Sequence, residues 1–124
     1  MPDPIKILIA EDNEDLRSTM VLLLAGEEDL RCVAETDELG KIAALAAATA
    51  PQVIILDIEL KGRSSLLALP QLKREFPSVR FLVYSGHALP AFMQAARDAG
   101  ASEYLLKSGD PYELIDAVRR CRSS

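Results

Sequence analysis

The stretch "VIILDIEL", Val53 to Leu60, runs four apolar residues straight into an aspartate. The run does not alternate, so both of its faces are covered, the pattern of a central strand in a parallel sheet. An ionised carboxylate is costly inside such a layer. Asp57 is therefore expected where the strand emerges, at its carboxyl end. In open α/β sheets that edge is where ligands and chemistry collect.

Working outward, four more short apolar runs flank this one: "IKILIA" (5–10), "LRCVAE" (30–35), "VRFLVY" (79–84) and "SEYLLK" (102–107), with the central strand read as 52–57. Amphipathic segments lie between and after them, near 13–25, 37–49, 66–76, 88–99 and 110–122. Leu16, Met20, Leu23 and Leu24 share one face of the first, and Leu114, Ile115, Val118 and Cys121 one face of the last. Asp37 is expected to cap the second helix and Pro51 to stop it. Asp110 followed by Pro111 is a cap with proline at the first helical position. Gly100 stops the fourth helix. Pro70 removes an amide donor one turn beyond Ser65, so the third helix is expected to start late or to have an irregular first turn. Strict βα alternation predicts one α/β domain over residues 1–124: a doubly wound (βα)5 parallel sheet of flavodoxin-like strand order 2-1-3-4-5.

Composition narrows the function classes. Hydrophobic residues make up 49% and charged residues 27%, ordinary for a soluble globular domain. The net charge of −5 argues against nucleic-acid binding by these residues. Arg119, Arg120 and Arg122 are the one basic group, and they suit the carboxyl end of the last helix. Cys32, Cys121 and the single His87 form no zinc-ligand spacing, and two buried, reduced thiols in a cytoplasmic protein are expected. No apolar run has the length of a membrane span, and the apolar run Ile7–Ala10 is too short for a signal peptide.

The strand ends carry the chemistry. Strand 1 ends in Glu11–Asp12, strand 3 in Asp57, strand 4 in Ser85–Gly86 and strand 5 in Lys107. Each taken alone reads as a solvated loop or helix entry. Together, at four ends that this topology brings to one edge, they suit phosphoryl transfer to a carboxylate. Three clustered acids require a cation, and a hard divalent ion with oxygen ligands, most naturally Mg²⁺, fits. Asp57 is then the nucleophile. Lys107 supplies fixed positive charge to a phosphoryl oxygen, the Ser85 hydroxyl bonds another, and Gly86 keeps the approach open. Glu59 and His87, two residues past Asp57 and Ser85, are expected to flank the path of an attacking water and to set how long the phosphoryl group survives.

On the ordered set "LIAEDNEDLR", "VIILDIEL", "FLVYSGHA" and "GASEYLLKS", the chain resembles the receiver domain of two-component response regulators over essentially its whole length. The resemblance implies a phosphoacceptor switch rather than an enzyme, receiving its phosphoryl group on Asp57 from a sensor histidine kinase or phosphotransfer protein in the cytoplasm. It implies Mg²⁺ held by Asp12, Asp57 and the backbone carbonyl of Glu59, with Glu11 acting through water. It matches Ser85 and Tyr104 to a switch pair that reports on the helix 4–strand 5–helix 5 face. The stretch "EYLLKSGDPYELIDAVRR" is most similar to receivers that precede a helix-turn-helix DNA-binding domain, so the implied partners include such an output domain outside this chain and, on phosphorylation, a second copy.

Four positions at three places depart from the family pattern. Lys61 stands in place of a proline, Ser64–Ser65 in place of an acidic residue and glycine, and Ser108 in place of a proline joined through a cis bond. The loop after Asp57 is expected to have its own shape. Either a non-proline cis bond is kept, at about 3–4 kcal/mol, or the loop carrying Lys107 differs. The competing enzyme reading is a haloacid-dehalogenase-like phosphatase, which also uses an aspartyl nucleophile. That family places the nucleophile on its first strand with a second Asp two residues on, and here position 59 is Glu. A flavodoxin-like electron carrier is disfavoured because Glu11–Asp12 would repel a cofactor phosphate.

Overall fold

The computed structural model describes residues 3–123. Its sheet has five parallel strands: β1 (Ile5–Ala10), β2 (Leu30–Thr36), β3 (Val53–Leu56), β4 (Arg80–Ser85) and β5 (Glu103–Leu106). Their order is β2-β1-β3-β4-β5, the expected topology. The connecting helices are α1 (Glu14–Ala25), α2 (Ile42–Thr49), α3 (Ser65–Glu75) and α4 (Pro90–Ala99), and α5 (Pro111–Ser123) closes the chain.

The pleat divides the core in two. Ile5, Ile7 and Ile9 of β1 and Val53 and Ile55 of β3 face α1 and α5, packing with Met20, Leu24, Leu114 and Val118. Leu8, Ala10, Ile54 and Leu56 point the other way, toward α2, α3 and α4, with Ile42, Leu69 and Ala96. A strand covered on both faces has no polar alternation, which is why "VIIL" reads as it does. All four of those residues are buried.

Local chemistry sets the helix ends. Asn13 caps α1, its side chain accepting from Leu16 N–H at 3.0 Å. Asp110 Oδ1 accepts from Tyr112 N–H at 2.9 Å ahead of Pro111, as expected of a cap. Gly100 ends α4 at φ 117°, a left-handed conformation that disfavours any Cβ.

Three expectations need correction, and one open alternative is decided. Asp37 does not cap the second helix: a 3₁₀ turn over Leu39–Lys41 precedes α2, and the Asp37 carboxylate pairs with Lys61 at 3.1 Å instead. The third helix neither starts late nor has an irregular start. It begins at Ser65 and runs through Pro70. Its first turn is anchored because Ser65 N–H donates to Ile58 O at 2.7 Å and the Ser65 hydroxyl, fully buried, bonds the Ile58 and Asp57 carbonyls. Cys32 is only partly buried, because it lies on an edge strand where the β1–β2 register shifts between Ile7 and Leu8; Cys121 is buried, and neither is in a disulfide. The Lys107–Ser108 bond is trans, so of the two alternatives it is the loop that differs.

The loop after β3 does have its own shape. Glu59–Leu60 pairs antiparallel with Arg63–Ser64 in a short ribbon, closed by Lys61 and Gly62. Both turn residues have positive φ, 50° and 78°. Two left-handed residues in a two-residue loop match the right-handed twist of the flanking strands.

Candidate functional site

The carboxyl edge of the sheet gathers the strand-end residues as the topology requires. The β1–β3 register pairs Ala10 with Leu56, so Glu11, Asp12 and Asp57 emerge side by side. One oxygen from each of these three carboxylates lies within 4.8 Å of the others. Glu11 is buried, Asp57 half-buried and Asp12 exposed. The cluster therefore has a closed floor and an open mouth.

Lys107 supplies the counter-charge. Its N–H donates to Ser85 O at 2.8 Å, continuing the β4–β5 ladder and fixing where its side chain starts. Its Nζ lies 2.8 Å from Glu11 Oε1 and 2.8 Å from Asp57 Oδ2, and 5.8 Å from the centre of the Tyr84 ring. Burial disfavours the ammonium, but the hydrogen bonds to Asp57 and Glu11 outweigh it and hold Lys107 above its ordinary value. Burial pushes the Glu11 carboxyl up, against the opposing bonds from Lys107 and the Asn13 amide. Two carboxylates thus share one ammonium, and a third stands free of it at the mouth.

Ser85 and Gly86 lie at the end of β4, next to β3. Ser85 Oγ is buried and accepts from His87 N–H at 3.0 Å. A Cβ built on Gly86 would meet no atom within 4 Å, so the space beside it is open. The Glu59 amide reaches Asp57 Oδ1 at 3.4 Å, and its side chain is exposed on the ribbon. The exposed His87 ring stacks on Phe92 with centroids 4.6 Å apart. The Tyr104 hydroxyl donates to the His87 carbonyl at 2.7 Å, so strand 5 is tied directly to the β4–α4 loop.

Several supporting contacts escaped the sequence reading. Arg17 of α1 donates from Nη1 to the Glu11 carbonyl at 2.9 Å and from Nε to Glu35 at 3.1 Å, bracing the end of β1. Lys61 N–H donates to Asp12 Oδ2 at 2.8 Å, and its ammonium meets Asp37 at 3.1 Å and Glu38 at 3.5 Å. The Asp37 bond holds Lys61 above its usual value, and Lys61 holds Asp37 below the usual carboxylate range. Ser108 bonds Glu113 in the first turn of α5. Arg119 and Arg120 are engaged in ion pairs with Glu27, Asp29 and Glu103. The one available signal was "LKGR": a Gly between two potential strand residues marks a two-residue turn.

With this geometry in view, the chain can be compared with known proteins. A family model described as the response regulator receiver domain matches residues 7–119. A nitrate/nitrite response regulator protein homolog of Haemophilus influenzae is 31% identical over 97% of this chain and 58% of its own length. The nitrate/nitrite response regulator protein NarP of Escherichia coli is 31% identical, over 96% of this chain and 56% of its own. The chain therefore spans somewhat over half the length of these relatives. Among solved structures, the signal receiver domain of the putative response regulator NarL from Mycobacterium tuberculosis superposes with a TM-score of 0.91 at 26% identity, covering 99% of each chain. A LuxR-family DNA-binding response regulator from Staphylococcus aureus gives 0.86 at 26%, covering 95% of this chain and 98% of that one.

Proposed function

The chain belongs to the response regulator receiver domain family of two-component systems, and from that premise we propose that it accepts a phosphoryl group on Asp57, with Mg²⁺ bound, from a sensor histidine kinase or phosphotransfer protein. The observation that carries this reading is the double engagement of Lys107 by Asp57 and Glu11 beside the third carboxylate of Asp12. In the proposed step an Asp57 oxygen attacks phosphorus in line, the O–P bond forms as the histidine N–P bond breaks, and the imidazole departs with that electron pair and takes up a proton.

The donor set suits a hard divalent cation, because all three side chains offer oxygen and the exposed Asp12 leaves the cluster open to water. Asp12, Asp57 and the Glu59 carbonyl would hold the ion, with Glu11 acting through water. When bound, Mg²⁺ supplies charge that neutralises the acids and the incoming phosphoryl oxygens. Lys107, already on Asp57 Oδ2, is placed to follow the charge onto a phosphoryl oxygen. Ser85 can offer its hydroxyl hydrogen to another, since its Oγ accepts from the His87 amide and its hydroxyl donates to none of the described residues. Gly86 leaves room for the donor, and Glu59 and His87 tune the lifetime of the acyl phosphate. Ser85 and Tyr104 then act as the switch pair, with the Tyr104–His87 bond as the resting contact to be broken.

A neighbour described as a LuxR-family DNA-binding response regulator, together with the greater length of the relatives, supports a DNA-binding output domain as the way the signal leaves, and pairing of two copies on phosphorylation is part of the same proposal. Among the described residues no helix is long and apolar enough to cross a membrane, which suits an encounter with the kinase in the cytoplasm. The test is labelling. With Mg²⁺ and acetyl phosphate or a phosphorylated kinase, the parent should take up one acid-stable, base-labile phosphoryl group and Asp57→Asn none. Stoichiometric labelling of that variant would end the reading.

A further inference from the structure

Lys61 makes more contacts to the site than its sequence position suggests. Its amide donates to Asp12 Oδ2 at 2.8 Å. Its ammonium reaches across to the β2–α2 loop, 3.1 Å from Asp37 and 3.5 Å from Glu38. Its own backbone is left-handed, φ 50°, a conformation that a non-glycine residue keeps only when its surroundings hold it there. The ribbon supplies part of that hold: Leu60, beside the turn, is fully buried, and Glu59–Ser64 and Leu60–Arg63 are paired. The side-chain ion pairs supply the rest. A proline at this position would offer no amide and could not adopt positive φ.

We propose that Lys61 is a positioning residue for the acidic site, its amide orienting the Asp12 carboxylate while its ammonium, strapped to Asp37 and Glu38, holds the turn that aims that amide. The amide occupies Oδ2, so Asp12 presents Oδ1 to a cation in a set orientation. The same three contacts make the start of the α2 segment sensitive to what Asp12 binds. Glu38 is tied to the turn that follows, its N–H donating to Thr36 Oγ at 3.1 Å and its carboxylate 3.6 Å from Lys41 Nζ, so a displacement of Glu38 reaches the 3₁₀ turn at Leu39–Lys41. A cation drawing on Asp12 pulls on the Lys61 amide, and the strap carries the displacement to Asp37 and Glu38.

This inference rests on the metal reading above, and the experiment separates the two. Mg²⁺ is titrated into the ¹⁵N-labelled chain, into Asp37→Asn and Lys61→Gln variants, and into the double variant. The amides of Asp12, Asp57, Lys61 and Glu38–Lys41 are followed. Lys61→Gln keeps the amide and removes the ammonium, and both changes lie at the surface, so all four proteins fold. In the parent, the Lys61 and Glu38 amides should shift together with Asp57. Asp37→Asn should weaken Mg²⁺ binding roughly threefold or more in the parent and have little effect once Lys61 is Gln, since coupled residues are non-additive. Direct attraction between the Asp37 charge and the cation is the same in both backgrounds and cancels in the cycle. Equal effects in the two backgrounds would overturn the proposal, as would Lys61 and Glu38 amides that stay silent while Asp57 moves. A chain in which neither Asp12 nor Asp57 responds to Mg²⁺ is a different result: it removes the metal reading itself, and this inference with it.

Discussion

Replacing Lys107 by methionine tests the electrostatic centre of the site without any phosphodonor. Methionine keeps the stem length but leaves Glu11 and Asp57 without their shared cation and removes the ammonium from beside the Tyr84 ring. Removing one partner of a buried pair costs about 3–5 kcal/mol. The Glu11 side chain is 2% exposed and Asp57 13%, but Lys107 is 25% exposed. Water can therefore partly replace the ammonium, which lowers the expected loss to about 2–3 kcal/mol. With a urea m-value of about 1.5–2 kcal/mol/M, the midpoint of unfolding should fall by roughly 1–2 M. The assay is urea unfolding by circular dichroism at pH 7 with chelator present. The pH dependence has a definite sign. Burial already raises Glu11, and losing Lys107 raises it further. A carboxyl whose folded pKa is raised gives its full stability below the unfolded value of about 4.3 and loses it as pH rises through the folded pKa. The gap between parent and variant should therefore be widest near pH 7 and shrink on acidification toward the unfolded value. Added Mg²⁺ should stabilise the variant more than the parent, because no ammonium competes for the carboxylates. An unchanged midpoint at pH 7 without metal would refute the claim that Lys107 holds the acids together.

Three further outcomes follow from parts of the fold remote from the acids. Gly100→Ala places a Cβ 3.1 Å from Lys73 Cγ at φ 117°, and Lys73 cannot easily yield because its Nζ bonds the Pro77 and Val79 carbonyls; a loss of about 1–2 kcal/mol is expected, read as a lower melting temperature. Burial, aided by Glu103, pushes the Cys121 thiol up to about 12. Its contribution to stability should be complete below about pH 8.5 and fall as pH rises toward that value, and maleimide followed by mass spectrometry should modify the partly exposed Cys32 well before Cys121.

What was legible in the sequence is what depends on a residue and its near neighbours. Apolar runs bounded by turn residues gave all five strands because both faces of the sheet are covered. The topology then put Glu11, Asp57 and Lys107 on one edge, and their contacts at 2.8 Å follow from strand ends in register. The features that were missed depend on partners distant in sequence. Asp37 looks like a cap until Lys61, on another loop, engages its carboxylate. Pro70 argues for a delayed helix until the Ser65 amide and hydroxyl are seen bonded to the carbonyls behind Asp57. The Glu59–Ser64 ribbon has too few residues for a periodic signal, and only its two-residue turn marks it.

The departures from the family pattern share a physical logic. A proline at position 61 and a proline at 108 would stiffen their loops through the backbone alone, and a glycine at 65 would leave room there. This chain has side chains and amides that donate instead: Lys61 N–H to Asp12, Ser65 N–H and Oγ–H to the carbonyls of Ile58 and Asp57, and the Ser108 hydroxyl to Glu113. Stiffness set by a ring is indifferent to charge. A loop held by the Lys61 ion pairs is not: exposed pairs are screened as salt rises, and the Asp12 carboxylate that anchors the Lys61 amide is the group a cation would bind. The elements around Asp57 are thereby tied to the charge state of the site itself. A proline at 61 would remove the amide that Asp12 accepts, a proline at 108 the hydroxyl that meets Glu113, and a glycine at 65 the hydroxyl that bonds the Asp57 and Ile58 carbonyls.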